Sequence, residues 1–178
     1  MKPHIETPPR TIMEVYKTLP EGTLAELIDN IIYMSPSPLP IHQLILNEIN
    51  LQLYQHLKST GKGMVFIPPF DVYLDEEQNA VQPDLTIILS SNPAKVNLSR
   101  HFHGVPDVVV ELLSPGNKDY DLVKKKNIYE RFGVQEYWIV DPESKHTWLY
   151  ELANGKYQLK AEKTASISSP LLKVDIQF

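Results

Sequence analysis

Two acidic residues stand where acids are unexpected. Asp84 opens the run DLTIIL and Glu111 lies inside VVVELL, both dominated by Val, Ile and Leu. Runs of that kind belong to central strands buried on both faces, and a fully buried glutamate is rare unless it is paired or ligated. Sequential strands with no helix between them are usually antiparallel neighbours, so the start of one lies beside the end of the other. That topology brings Asp84 to Glu111 and sends Asp107 to the opposite end. Carboxylates held together in an apolar sheet repel and are poorly hydrated, a cost that a divalent cation removes. Mg2+ or Mn2+ is the natural candidate. On pattern alone a plainer reading stays open, in which Asp84 and Asp107 cap strand entries and Glu111 pairs with a lysine.

A lysine is available for either role. Over the helix expected from about Asp119 to Phe132, a turn of 100° per residue places Leu122, Ile128, Tyr129 and Phe132 on one side, with Lys125 near the middle of that stripe. Lys124 points away, to solvent, and Lys126 lies at the edge. An inward lysine can simply snorkel; aimed at the carboxylates, it positions a water nucleophile or offsets phosphate charge.

The elements that must hold these residues can be read from periodicity and turn chemistry. Thr23 to Ile28 and Ile31 to Met34 flank Asp29-Asn30, a hairpin signal. Ile41, Leu44, Ile45, Ile49, Leu53 and Leu57 recur at helical spacing up to Gly61. Strands are expected over 64–74, interrupted at Pro68-Pro69, then over 84–89 and 107–113, followed by the helix closed by Gly133 and a strand over 136–140. The core order is helix, three strands, helix, strand. A hairpin about Asn154-Gly155 and a strand over 171–178 are additions.

Composition bounds the function. A chain of 178 residues, 42% hydrophobic and 22% charged, is expected to be one globular domain spanning 1–178. Without cysteine it has no disulfides, thiolate zinc sites or cysteine nucleophiles. The start carries no apolar segment of the secretory type, and the expected location is cytoplasmic. A net charge of −5 runs against nucleic-acid binding, although residues 118–132 are locally basic.

The segments LIDNIIYMSPSP, His42-Gln43, FDVYLDEEQNAVQPDLTIIL, GVPDVVVELLSPGN and KKNIYERFGVQEYWIVDP, which together span most of residues 23–142, resemble the Uma-type restriction endonucleases of the PD-(D/E)XK superfamily. The resemblance implies an α/β (α+β) fold: a central mixed sheet flanked by helices in the order αβββαβ, with a core of about 41–142, an N-terminal hairpin and added C-terminal strands. It implies metal ligation by Asp84 and Glu111. The superfamily lysine two positions after the glutamate is Leu113 here, and Lys125 on the following helix matches the Uma-type pattern instead. Glu26 and His42 match recurrent family positions.

Gln82 lies close enough to Asp84 to line the same pocket, or is a solvated loop amide. His101 and His103 read as surface residues, and Tyr137 and Trp138 as packing. Ser114 lacks the flanking G-x-S-x-G of a nucleophile, and no phosphate-binding glycine loop is present. The leading expectation is a Mg2+- or Mn2+-dependent DNA endonuclease with catalytic Asp84, Glu111 and Lys125, by analogy a homodimer. The alternatives are a catalytically inactive nucleic-acid-binding or assembly protein on the same fold, and an interaction protein whose carboxylates only form salt bridges.

Overall fold

The computed structural model describes residues 8–114 and 120–178, and the side chains of all of these except 120–122. The expected start of the second helix at Asp119 lies outside the described residues. The elements in chain order are α1 (Ile12–Lys17), β1 (Ala25–Ile28), β2 (Ile31–Met34), α2 (Pro40–Thr60), β3 (Gly63–Phe66), β4 (Val72–Tyr73), β5 (Ala80–Val81), β6 (Leu85–Leu89), β7 (Phe102–His103) and β8 (Val108–Leu112). A π-helical segment, Tyr120–Lys125, then leads into α3 (Lys126–Phe132), followed by β9 (Glu136–Val140), β10 (His146–Ala153), β11 (Lys156–Thr164), β12 (Ser166–Ser169) and β13 (Val174–Gln177).

A six-stranded sheet in the order β11-β10-β9-β8-β6-β3 carries the expected αβββαβ core. It is antiparallel except for β8 and β9, whose parallel pairing follows from the helical crossover between them. Alternation along the strands splits its side chains. Leu85, Ile87, Val108 and Val110 face Ile45, Ile49, Leu53 and Leu57 of α2, whereas Ile88, Val109 and Ile139 face Ile128 and Tyr129 of α3. Both faces are covered, which is why the strands read as unbroken apolar runs. Pro40 opens α2 without a side-chain cap, and Gly61 closes it in the left-handed region at φ 65°, where a Cβ is disfavoured.

The N-terminal hairpin forms about Asp29 and Asn30, both at positive φ. It is not an appendage. With β5, β4 and β7 it builds a second, five-stranded sheet in the order β2-β1-β5-β4-β7. The stretch 64–74, read as one interrupted strand, is therefore two strands in different sheets. The Pro68-Pro69 step carries the chain from one to the other, with Phe66 stacked on Phe70 across it at 4.4 Å between ring centroids. The cluster around α3 joins Ile28, Val72, Val81 and Phe102 of this second sheet to the six-stranded one. Among the described residues, no helix is long and apolar enough to cross a membrane.

Candidate active site

The register of β6 on β8 decides which carboxylates meet. Leu85 pairs with Val110 and Thr86 with Val109, so Asp84, one step before β6, falls opposite Glu111 on the face that looks toward α3. Asp84 Oδ2 accepts a hydrogen bond from the Leu112 amide at 2.8 Å and lies 3.1 Å from His42 Nε2 at the start of α2. With Asp84 ionised, that nitrogen is the donor. Asp107 sits at the other end of β8, as expected, and accepts from Leu89 N at 2.7 Å, Asn92 Nδ2 at 2.8 Å and Gln135 Nε2 at 2.7 Å.

Lys125 reaches the carboxylates from the last turn of the π-helical segment. Its Nζ donates to Glu111 Oε1 at 2.9 Å and lies 3.1 Å from Glu26 Oε2, and all three side chains are buried. Glu26 comes from β1, so the second sheet completes this cluster. The neighbouring lysine corrects one expectation. Lys124 is half-buried, its ammonium hydrogen-bonded to the Tyr33 hydroxyl and set 3.9 Å from the ring centroid, rather than in solvent.

One residue read only as packing also belongs to the site. Tyr129, one helical turn beyond Lys125, donates its hydroxyl to Glu111 Oε1 at 2.7 Å. Its i, i+4 relation to an inward lysine was the available signal. Burial first, then the charges of Glu111 and Glu26, hold the Tyr129 hydroxyl well above its ordinary pKa, so it stays a donor.

Gln82 is a strut rather than a solvated amide. Its backbone N–H donates to Glu26 Oε1 at 3.0 Å, and its side chain donates to Thr23 O at 3.0 Å and to Asp71 Oδ1 at 2.7 Å. Asp71, which the sequence did not single out, also lies 3.0 Å from the Tyr16 hydroxyl, and burial followed by Asp71 raises that hydroxyl's pKa. His101 is mainly exposed, as expected, and 3.5 Å from Asp71 Oδ2.

Asp84, Glu111, Lys125, His42 and Gln82 line one open pocket of about 270 Å³. Among the described residues, no three His, Asp or Glu side chains form a closed ligand set. The available donors are thus two hard carboxylates on a pocket wall. That set fits Mg2+ or Mn2+, which bind through one or two carboxylates and complete their shell with water and phosphate oxygens. It does not fit a structural zinc site.

Comparison with known proteins gives the lineage. The family model Uma2, described as "Putative restriction endonuclease", matches residues 13–178. The fold is similar to the crystal structure of a putative nuclease belonging to DUF820 from Anabaena variabilis ATCC 29413, with a TM-score of 0.74 at 20% identity over 93% of this chain and 92% of that one. No curated protein sequence matches.

Proposed function

The chain belongs to the Uma2 family of restriction-endonuclease-like proteins, and from that membership we propose that it is a divalent-metal-dependent endonuclease hydrolysing DNA phosphodiesters at the Asp84–Glu111 pocket. The observation that carries the reading is the meeting of Asp84 and Glu111 across neighbouring strands, with the buried Lys125 ammonium between Glu111 and Glu26. Asp84, Glu111 and Glu26 against Lys125 leave a formal surplus of two negative charges, the amount one divalent cation offsets.

Asp84 and Glu111 are the residues that would hold Mg2+ or Mn2+. When bound, the ion polarises a phosphoryl oxygen and acidifies water. The remaining work falls to the chain. His42 and the Leu112 amide fix the rotamer of Asp84, and Tyr129 fixes that of Glu111, as ligand-orienting contacts do. Glu26 and Glu111 hold Lys125 where it orients the attacking water and offsets the charge that grows on phosphorus oxygens as the ester oxygen leaves.

The test is cleavage of supercoiled and linear DNA with Mn2+, alongside calorimetric Mn2+ titration. Asp84→Asn is expected to lower the cleavage rate by about a thousandfold, equivalent to several kcal/mol of transition-state stabilisation, and to weaken Mn2+ binding without lowering the melting temperature. Mn2+ binding with no cleavage would favour the inactive nucleic-acid-binding alternative. Equal activity in wild type and variant would sink the assignment of Asp84.

A further inference from the structure

A second depression, of about 990 Å³, opens beside the Asp84–Glu111 pocket and shares Pro69 and Gln82 with it. A whole nucleotide fits a space of that size, whereas the 270 Å³ of the first pocket lies below the usual range for a small ligand. Asp71 stands in the wall of this groove with 22% of its side chain exposed. Its two carboxylate oxygens are used differently. Oδ1 accepts from the Gln82 side-chain amide at 2.7 Å and lies 3.0 Å from the Tyr16 hydroxyl, so the side chain is fixed. Oδ2 receives no hydrogen bond among the described residues; it is turned toward His101, another residue of the groove wall, whose Nδ1 is 3.5 Å away on a side chain that is 61% exposed. In Asp107 and Glu136, by contrast, both oxygens accept hydrogen bonds. Asp71 therefore holds out one fixed oxygen that can only accept.

Resting on the nuclease reading above, we propose that this groove takes the nucleotide next to the one held at the Asp84–Glu111 pocket, and that Asp71 Oδ2 reads its base by accepting a hydrogen bond from an exocyclic amino group, that of cytosine. A phosphodiester chain that enters the smaller pocket has to continue past its wall. Gln82, two residues before Asp84, lines both depressions, and its amide is the group that holds Asp71. Arg100, exposed on the same groove, supplies positive charge for a flanking phosphate. Phosphate contacts position a strand without reading it, and the reading falls to groups that meet base edges. A carboxylate suits the amino group of cytosine, the usual base partner of Asp and Glu. Uracil and thymine carry a carbonyl at that position, so acceptor would face acceptor and both would be left unpaired. Because Oδ1 is held by its neighbours, the side chain cannot turn to relieve that opposition without giving up the Gln82 contact.

Fluorescence anisotropy in EDTA tests the base preference apart from catalysis, with labelled oligo(dC) and oligo(dU) of equal length as probes. Uracil has the shape of cytosine with a carbonyl in place of the amino group, and a homopolymer presents the same base in every register. Wild type is expected to bind oligo(dC) about tenfold tighter than oligo(dU). In Asp71→Asn the amide oxygen can keep the Gln82 contact, which puts an N–H donor where Oδ2 stood. The preference should then invert toward oligo(dU), with an unchanged melting temperature. Arg100→Ala should weaken both probes alike and lower the salt slope by about one phosphate, keeping the preference for cytosine. Equal binding of the two probes by wild type, no binding of either, or an Asp71→Asn variant that weakens both alike or keeps the original preference would overturn the proposal. If Asp71→Asn fails to fold, the wild-type ratio and its persistence in Arg100→Ala decide the matter, and a ratio near one in either protein overturns it. A cytosine preference without Mn2+-dependent cleavage of any DNA would instead strike the nuclease reading and leave this one standing. Cleavage without the preference would do the reverse.

Discussion

A carboxylate stands at either end of β8, and the two ends are built differently. At the start, Asp107 is surrounded by neutral donors, the Leu89 amide and the side chains of Asn92 and Gln135. Beside it in the sheet, Glu136 opens β9 and is satisfied in the same manner, by Trp138 Nε1 at 2.9 Å, Ser169 Oγ at 2.6 Å and the Leu171 amide at 2.8 Å. At the far end Glu111 meets an ammonium, a phenol and a pocket. Glu136 is as buried as Glu111, at 1% against 3% exposure, so burial does not distinguish them. The difference lies in the company. Neutral donors tie strand ends together, whereas a buried ion cluster costs desolvation and here lies on the wall of a pocket.

Substitution can break this contrast. Lys125→Met leaves Glu26 and Glu111 buried without their cation and is expected to cost about 3–5 kcal/mol in urea unfolding, with part recovered by adding Glu26→Gln. If the single variant is no less stable than wild type, the pocket end is not governed by charge. Asp107→Ala strands buried donors and should cost about 1–3 kcal/mol, but leave the cleavage rate of the folded protein unchanged. A rate loss there would mean that the two ends are coupled.

The smallest effect concerns Tyr129 and pH. Its hydroxyl pKa is raised in the folded state, first by burial and then by Glu111, so the native state holds that proton more tightly than the unfolded chain. Below about pH 10 both states are protonated and the group adds no pH dependence; above it the unfolded state ionises first and stability falls. Tyr16 and Tyr157 are raised by burial as well. The urea midpoint is therefore expected to drop above about pH 10. Tyr129→Phe should flatten that drop while costing about 1–2 kcal/mol at neutral pH; an unchanged alkaline slope would remove Tyr129 from the account.

Much of the central sheet was legible because its signals are long and redundant. The runs 84–89 and 107–113 had only one economical pairing, which places Asp84 opposite Glu111, and the helical stripe singled out Lys125 although the segment carrying it is π-helical rather than α-helical. Beyond its β1–β2 hairpin, the second sheet was not legible. β4, β5 and β7 are two residues each, too short for alternation to register, and β1 is only the four residues AELI, too short a run for Glu26 to interrupt, so Glu26 came only from the family resemblance. Glu136 was overlooked because it opens its run instead of interrupting one, and Asp71 because its partners, Tyr16 and Gln82, are remote in sequence.

The ion cluster draws Glu26 from the first sheet, Glu111 from the central strand and Lys125 from the helix beyond it, so its parts leave the ribosome at widely separated times. Early in synthesis the emerging chain already carries Glu26 and Asp84, but it has neither the cation nor the strand that sets Glu111 across from Asp84. Long-range contacts of this sort close late in folding. Under the function proposed above, the pocket would gain its lysine and its full set of carboxylates only once both sheets have docked, so competence would follow completion of the fold rather than synthesis of the acidic residues.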